Sequence, residues 1–147
     1  MMAIDIRQIG TFGISFSRGL DQTWFNLWRK DYGFSMDLYQ SVEDEDSDDD
    51  DELINTVKAI SFEEGESMLS EIFERGHLEA WKPQYSKTDE GPETDLNWTI
   101  DVDDVSDQDM LLISGNWKLP SNGWMSEILR VIRKGEPTFA RCFKDLG

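Results

Sequence analysis

Residues 96–103 read LNWTIDVD, and apolar and polar side chains alternate along this segment without a break. Successive side chains of a β-strand point to opposite faces, so the period of two predicts a strand with one buried face. Asp101 and Asp103 are then neighbours on the outward face. Residues 104–109 follow as a turn and Met110–Ile113 as a second strand, which together predict a hairpin with an acidic tip.

The same alternation predicts further strands around residues 12–16 and 36–42, and residues 4–6 suggest a short first strand. Residues 53–60 fit either a strand or a helix. Several of these segments are close enough along the chain to pair as hairpins. The sequence therefore predicts an α+β fold built on an antiparallel sheet.

About three helices are expected to pack on this sheet. The first would begin at Asp21 and end before Gly33, because aromatic residues within it recur at a helical spacing. The second begins at a capping box formed by Ser61 and Glu64. The third has an apolar stripe over residues 124–132. The aromatic residues of the first segment are Trp24, Phe25 and Trp28.

The composition indicates one acidic domain over residues 1–147. Thirty-one Asp and Glu against fourteen Lys and Arg give a net charge of −17, while 12% aromatic residues favour a folded core. Such a charge disfavours direct binding to nucleic acid or to an anionic membrane. The chain has no apolar run of about 20 residues, and its first residues do not resemble a signal peptide. We expect a cytoplasmic protein.

The negative charge is concentrated in two clusters. Nine of the ten residues in 43–52 are acidic, and the second cluster runs over residues 101–109. Dense blocks of like charge repel each other and are usually solvated, so the first cluster predicts a flexible acidic loop. The second is partly ordered by the strand pattern. The two clusters are therefore expected to play different parts.

Catalytic motifs are missing from the sequence. His77 is the only histidine and follows the predicted end of a helix, so we interpret it as a surface residue. Cys142 is the only cysteine and fits a small buried side chain. One histidine and one cysteine cannot form a Cys/His zinc site. We predict that the chain is not an enzyme and needs no cofactor.

A calcium loop is a second interpretation of the first cluster. Asp44, Asp46 and Asp48 have the spacing of its first three ligands. The pattern then fails, because Asp49 stands where glycine is needed and Asn55 where a bidentate glutamate belongs. No specific metal site is predicted.

A concentrated negative surface attracts basic proteins and speeds their encounter. We therefore predict that the ordered contacts to a basic partner come from the second cluster and that the first cluster steers or wraps the partner. The contacts of the second cluster are Asp101, Asp103, Asp104 and Asp107. Those of the first are Asp44, Glu45, Asp46, Asp48, Asp49, Asp50 and Asp51.

In length, in its two acidic clusters and in its lack of catalytic motifs, the chain resembles bacterial immunity proteins of contact-dependent growth inhibition and related polymorphic toxin systems. The resemblance implies a small cytoplasmic protein that binds and neutralises a cognate toxin domain, with a nuclease as the favoured class. Three alternatives stay open. These are a nucleic-acid mimic that sequesters DNA-binding enzymes, an enzyme with an unrecognised carboxylate site, and an acidic structural or interaction domain.

Overall fold

The computed structural model describes residues 5–18, 21–43, 50–78, 84–85, 96–106, 108–115 and 124–137. A 3-10 turn over Ile6–Gln8 precedes the first strand. The strands are β1 Ile9–Arg18, β2 Asp21–Lys30, β3 Gly33–Glu43, β4 Asp50–Ile60, β5 Gln84–Tyr85, β6 Leu96–Asp104 and β7 Asp109–Gly115. The helices are α1 Phe62–Gly76 and α2 Trp124–Gly135.

The strands form one sheet in the order β4-β3-β2-β1-β6-β7-β5. Every neighbouring pair is antiparallel except β5 and β7. The predicted α+β class and antiparallel sheet are confirmed, and so is the hairpin of β6 and β7. Within the described residues, neither helix is long and apolar enough to cross a membrane.

Both helices pack on one face of the sheet, and the alternation of the strands creates that face. On β6, Trp98, Ile100 and Val102 are at most 1% exposed. Phe12 and Ile14 are equally buried on β1 beside them. The buried apolar residues of the strands and of both helices form one continuous hydrophobic cluster, which holds the layers together.

Helix α1 begins as its sequence predicts. The Ser61 hydroxyl accepts a hydrogen bond from the Glu64 backbone N–H at 3.1 Å, which satisfies one of the free donors of the first turn. The helix lies close to β3, since a Cβ atom at Gly65 would collide with the Phe34 ring. Gly76 of α1 likewise lets α2 approach closely, since a Cβ atom there would collide with the Ile128 side chain.

The helix predicted to begin at Asp21 is wrong, because this segment is strand β2. Thr23, Phe25 and Leu27 alternate toward the core, and each is buried. The remaining aromatic residues stand on the other face of the strand. Because β2 carries apolar residues on both faces, its sequence does not show the alternation of a strand. The spacing of its aromatic residues resembles that of a helix instead.

Two other segments also differ from expectation. Ile6 lies in the 3-10 turn rather than in a first strand. The ambiguous residues 53–60 belong to β4. Within the segment predicted as an acidic loop, Glu43 ends β3 and pairs with Asp50, the first residue of β4. Residues 44–49 lie outside the described residues.

Candidate functional site

The side of the sheet away from both helices is called the outer face here. As the alternation predicts, β6 places Asp101 and Asp103 on it. Strand register puts the small residues of β1 beside them and the aromatic residues of β2 beyond. The outer face is defined by Thr11, Gly13 and Ser15 of β1, Trp24, Asn26 and Trp28 of β2, and Thr99, Asp101 and Asp103 of β6.

Three aspartates meet at the hairpin end of the outer face. The pairing of β6 with β7 shifts between Val102 and Asp103, so that Asp103 lies opposite Asp109. Asp101, Asp103 and Asp109 each offer one carboxylate oxygen, and these oxygens lie within 4.8 Å of one another. This set is called the carboxylate cluster below.

The carboxylate cluster is electrostatically unfavourable as it stands. One oxygen of Asp101 and one of Asp103, Oδ1 in each case, is buried without a hydrogen-bond partner. Burial, followed by the neighbouring Asp109 and Asp101, raises the pKa of Asp103 to about 6. Burial and the charge of Asp109 also raise the pKa of Asp101. A cation placed here would relieve the repulsion among the carboxylates.

Two kinds of cation fit these oxygens chemically. Calcium takes six to eight oxygen ligands, so the three aspartates supply only part of its shell. An arginine guanidinium instead offers five N–H donors in a flat fork and binds carboxylates in pairs. An acidic group alone does not establish a metal site, and the sequence predicted none. The geometry suits a positively charged side chain as well as an ion.

Aromatic side chains line the outer face across β1 from the carboxylate cluster. Trp28 is 42% exposed, although most large apolar side chains of the described sheet are buried. Its strand partner Thr11 is in turn paired with Asp103. Trp24 stacks on Tyr39 of β3, with the ring centroids 5.1 Å apart. Carboxylates and aromatic rings therefore flank one strand of small residues.

The strand between them is β1, and its central glycine is covered by an asparagine side chain of β2. Asp101 pairs with Gly13, and Gly13 pairs with Asn26. A Cβ atom at Gly13 would come within 2.5 Å of Asn26 Oδ1, so the asparagine side chain occupies the space that glycine leaves. The amide thus sits between the two walls of the outer face.

Asp104 has a structural part that the sequence analysis did not assign. Its Oδ1 accepts hydrogen bonds from the backbone N–H groups of Ser106 at 2.8 Å and Gln108 at 3.0 Å. These bonds hold the turn between β6 and β7. Asp104 therefore shapes the hairpin, and its carboxylate is already engaged in hydrogen bonds.

The other predicted contacts are not brought to the carboxylate cluster in the described structure. Asp50 and Asp51 lie in β4, which is separated from β6 by three strands. Asp107 lies outside the described residues. So do the remaining predicted contacts, all within residues 44–49: Asp44, Glu45, Asp46, Asp48 and Asp49. Sequence reasoning missed Asp109, which the register shift brings in, and Trp28, which it placed on a helix.

The chain matches no known protein family, no curated protein and no solved structure.

Proposed function

We propose that this protein is a non-enzymatic inhibitor, an immunity protein that binds and neutralises a basic toxin domain of the nuclease class. The observation that carries the proposal is the carboxylate cluster on the outer face beside exposed Trp28. In this proposal the cluster receives arginine or lysine side chains of the toxin domain. Those side chains normally hold nucleic-acid phosphates, and the carboxylates take the place of the phosphates.

The electrostatics of the cluster support a cationic partner. Asp101 and Asp103 each keep an unpaired, buried carboxylate oxygen, which is costly in the free protein. A guanidinium at the accessible oxygens of the cluster would form charge-assisted hydrogen bonds and reduce the repulsion among the three carboxylates. In this proposal the cluster therefore contributes to affinity as well as to attraction over distance.

The aromatic residues of the outer face support binding to a protein. Tryptophan and tyrosine are enriched among the residues that dominate protein interfaces. Trp28 and the stacked pair Trp24 and Tyr39 can lie along the aliphatic stems of arginine or lysine and can attract their charges. Lys30 places its Nζ 4.7 Å from the centre of the Trp28 ring, so one cation–π contact already exists within this chain.

Affinity capture from a lysate of the source cells tests the proposal. Three baits are compared: the wild type, Asp101→Asn/Asp103→Asn, and the control Glu63→Gln/Glu64→Gln on exposed positions of α1. Both variants lose two negative charges, so a general effect of charge would weaken partner binding equally in the two variants. We expect wild type and control to retain one basic protein through washes of rising salt, and the aspartate variant to lose it. Parallel captures in the presence of calcium and of a chelator show whether partner binding depends on a metal ion.

The captured protein is then assayed for nuclease activity with and without the wild-type chain. The proposal expects inhibition that is complete at one equivalent. Equal loss of the partner from both variants, or an active captured enzyme in a stable complex, would contradict it. Release of many basic proteins by duplex DNA would instead favour the nucleic-acid mimic.

A further inference from the structure

A cleft of about 750 Å³ opens where the outer face reaches the turn between β6 and β7. Its apolar walls come from three separate elements: Trp28 of β2, Phe62 at the start of α1, and Val105 of the turn. These are three of the six large apolar side chains that are exposed among the described residues. Their collection around one cleft distinguishes it from a surface with scattered apolar residues.

The cleft also carries charged residues of both signs. Asp31, Asp103 and Asp104 lie on its lining, together with Arg29 and Lys30. Arg29 is committed inside the protein, because it binds Glu66 at 3.0 Å and the Ile9 carbonyl at 2.9 Å. Three carboxylates then face one remaining cation, Lys30, so the lining keeps an excess of negative charge.

Backbone packing shapes the cleft before any partner binds. Gly10 belongs to its lining, and a Cβ atom there would come within 2.6 Å of the Asp104 carbonyl oxygen. The pairing of β1 with β6 shifts between Ile9 and Thr11, next to this glycine. Such a bulge changes the direction of the strand end. The cleft therefore lies at an irregularity of the sheet, where the backbones of β1 and β6 approach each other closely.

The Phe62 ring in the wall of the cleft is held in place by Phe34 and Arg29. The ring packs edge-on against Phe34, with centroids 6.2 Å apart, and the Arg29 guanidinium lies 5.9 Å from its centre. Contacts of this kind reduce the freedom that the ring would lose on binding. A preorganised apolar wall favours affinity.

We propose that this cleft anchors one large apolar side chain, Phe, Leu or Met, from a basic partner segment in which an arginine or lysine adjoins that residue. The apolar side chain contacts Trp28, Phe62 and Val105, while its basic neighbour reaches Asp103 on the same lining. Apolar anchors surrounded by polar contacts carry most of the energy in protein interfaces. The inference rests on the proposed function, since it takes the partner to be basic.

Charge complementarity selects this occupant over a second copy of the chain. The chain carries a net charge of −17, so two copies repel each other, and the acidic lining of the cleft repels a like-charged segment. A basic segment is attracted to it instead.

Short blocked peptides test the anchor by NMR titration of the isotope-labelled protein. The probes are acetyl-Gly-Phe-Arg-Gly-amide, acetyl-Gly-Ala-Arg-Gly-amide and acetyl-Gly-Phe-Glu-Gly-amide. We expect the Phe-Arg peptide to shift the Trp28 indole N–H and the Val105 amide, and to bind about tenfold more tightly than the Ala-Arg peptide because its ring is partly buried. The Phe-Glu peptide is expected to bind at least as weakly as Ala-Arg.

Val105→Ser should lower the affinity for the Phe-Arg peptide about threefold, because one partly buried aliphatic contact is lost. Val57→Ser is the matched control, because Val57 is 70% exposed on β4 and lies outside the cleft. Equal loss in both variants would overturn the anchor.

The peptides also separate the anchor from the proposed function. If the Ala-Arg and Phe-Arg peptides bind equally at the carboxylate cluster, the anchor is wrong and the basic partner stands. If Phe-Glu binds as tightly as Phe-Arg, the preference for a basic partner is wrong. Shifts at Val105 that depend on protein concentration without peptide would identify a second copy as the occupant, and would also overturn the anchor.

Discussion

On the side of β6 that faces the helices, Trp98, Ile100 and Val102 are buried, whereas Asp101 and Asp103 lie between them in sequence and on the other face. The inner residues are fixed by packing that leaves no room for change. The charged form of the outer aspartates is disfavoured at this position, because burial raises the pKa of both carboxyls. One strand thus stabilises the fold with one face and carries an unfavourable cluster on the other.

In the proposed function, that difference separates residues that serve the fold from residues that contact the partner. A group that lowers stability where it stands needs another reason to be there, and functional sites often carry such a cost. The two faces should therefore respond with opposite sign when their residues are made smaller or neutral.

The largest effect is expected on the inner face. Ile100→Ala should lower the free energy of unfolding by about 2–5 kcal/mol, because Ile100 is fully buried and the protein would keep a cavity. Thr99→Ala, on the adjacent outer position, should change it by less than about 0.5 kcal/mol. Urea unfolding followed by circular dichroism measures both. Equal losses would mean that the outer face is packed as tightly as the inner one.

A smaller loss is expected at the hairpin turn. Asp104→Ala removes the acceptor of the Ser106 and Gln108 N–H groups and should lower the free energy of unfolding by about 1–2 kcal/mol. The same urea experiment applies, with Asp31→Ala as an exposed control in the turn between β2 and β3. A stable Asp104→Ala variant would return this residue to the set of candidate partner contacts.

Asp103→Asn should raise the free energy of unfolding, whereas the two substitutions above lower it. The folded state raises the pKa of Asp103 from 3.8 to about 6, so the folded protein binds the proton more tightly than the unfolded chain. Wild-type stability from this group is complete below pH 4 and is lost as the pH rises through 6. The substitution should therefore stabilise the protein by about 1 kcal/mol at pH 7.5, with the half-exposed site limiting the gain.

At about pH 3 the gain from Asp103→Asn should vanish, because Asp103 is then neutral in both the folded and the unfolded wild type. Unfolding curves at the two pH values make the comparison. A substitution that destabilises at pH 7.5 would mean that Asp103 holds the fold and is not an unfavourable group kept for a partner.

How far the fold is readable from sequence depends on whether the two faces of a strand differ. Residues 96–103 show strict alternation, and their strand and hairpin are confirmed. In β2 the outer residues Trp24 and Trp28 are aromatic while Phe25 and Leu27 fill the core. The pattern there lost its period of two, and the predicted helix was wrong. A local pattern cannot reveal an aromatic outer face.

The candidate site was readable only in part for a related reason. Alternation alone placed Asp101 and Asp103 on one outer face. Asp109 joins them through a shift in the pairing of β6 with β7, and such a shift depends on the neighbouring strand and not on local spacing. The structural part of Asp104 follows from a turn closed by its own side chain. Sequence reasoning had grouped it with the binding aspartates by charge alone.

The most direct test of the central claim is the affinity of the captured basic partner for wild type and for Asp103→Asn between pH 5 and pH 7. A cation bound at the cluster lowers the pKa of Asp103 from about 6, so binding releases a proton in this range. Wild-type affinity should then rise about tenfold more than that of the variant over the interval. Identical pH dependence in the two proteins would show that the partner does not contact the carboxylate cluster.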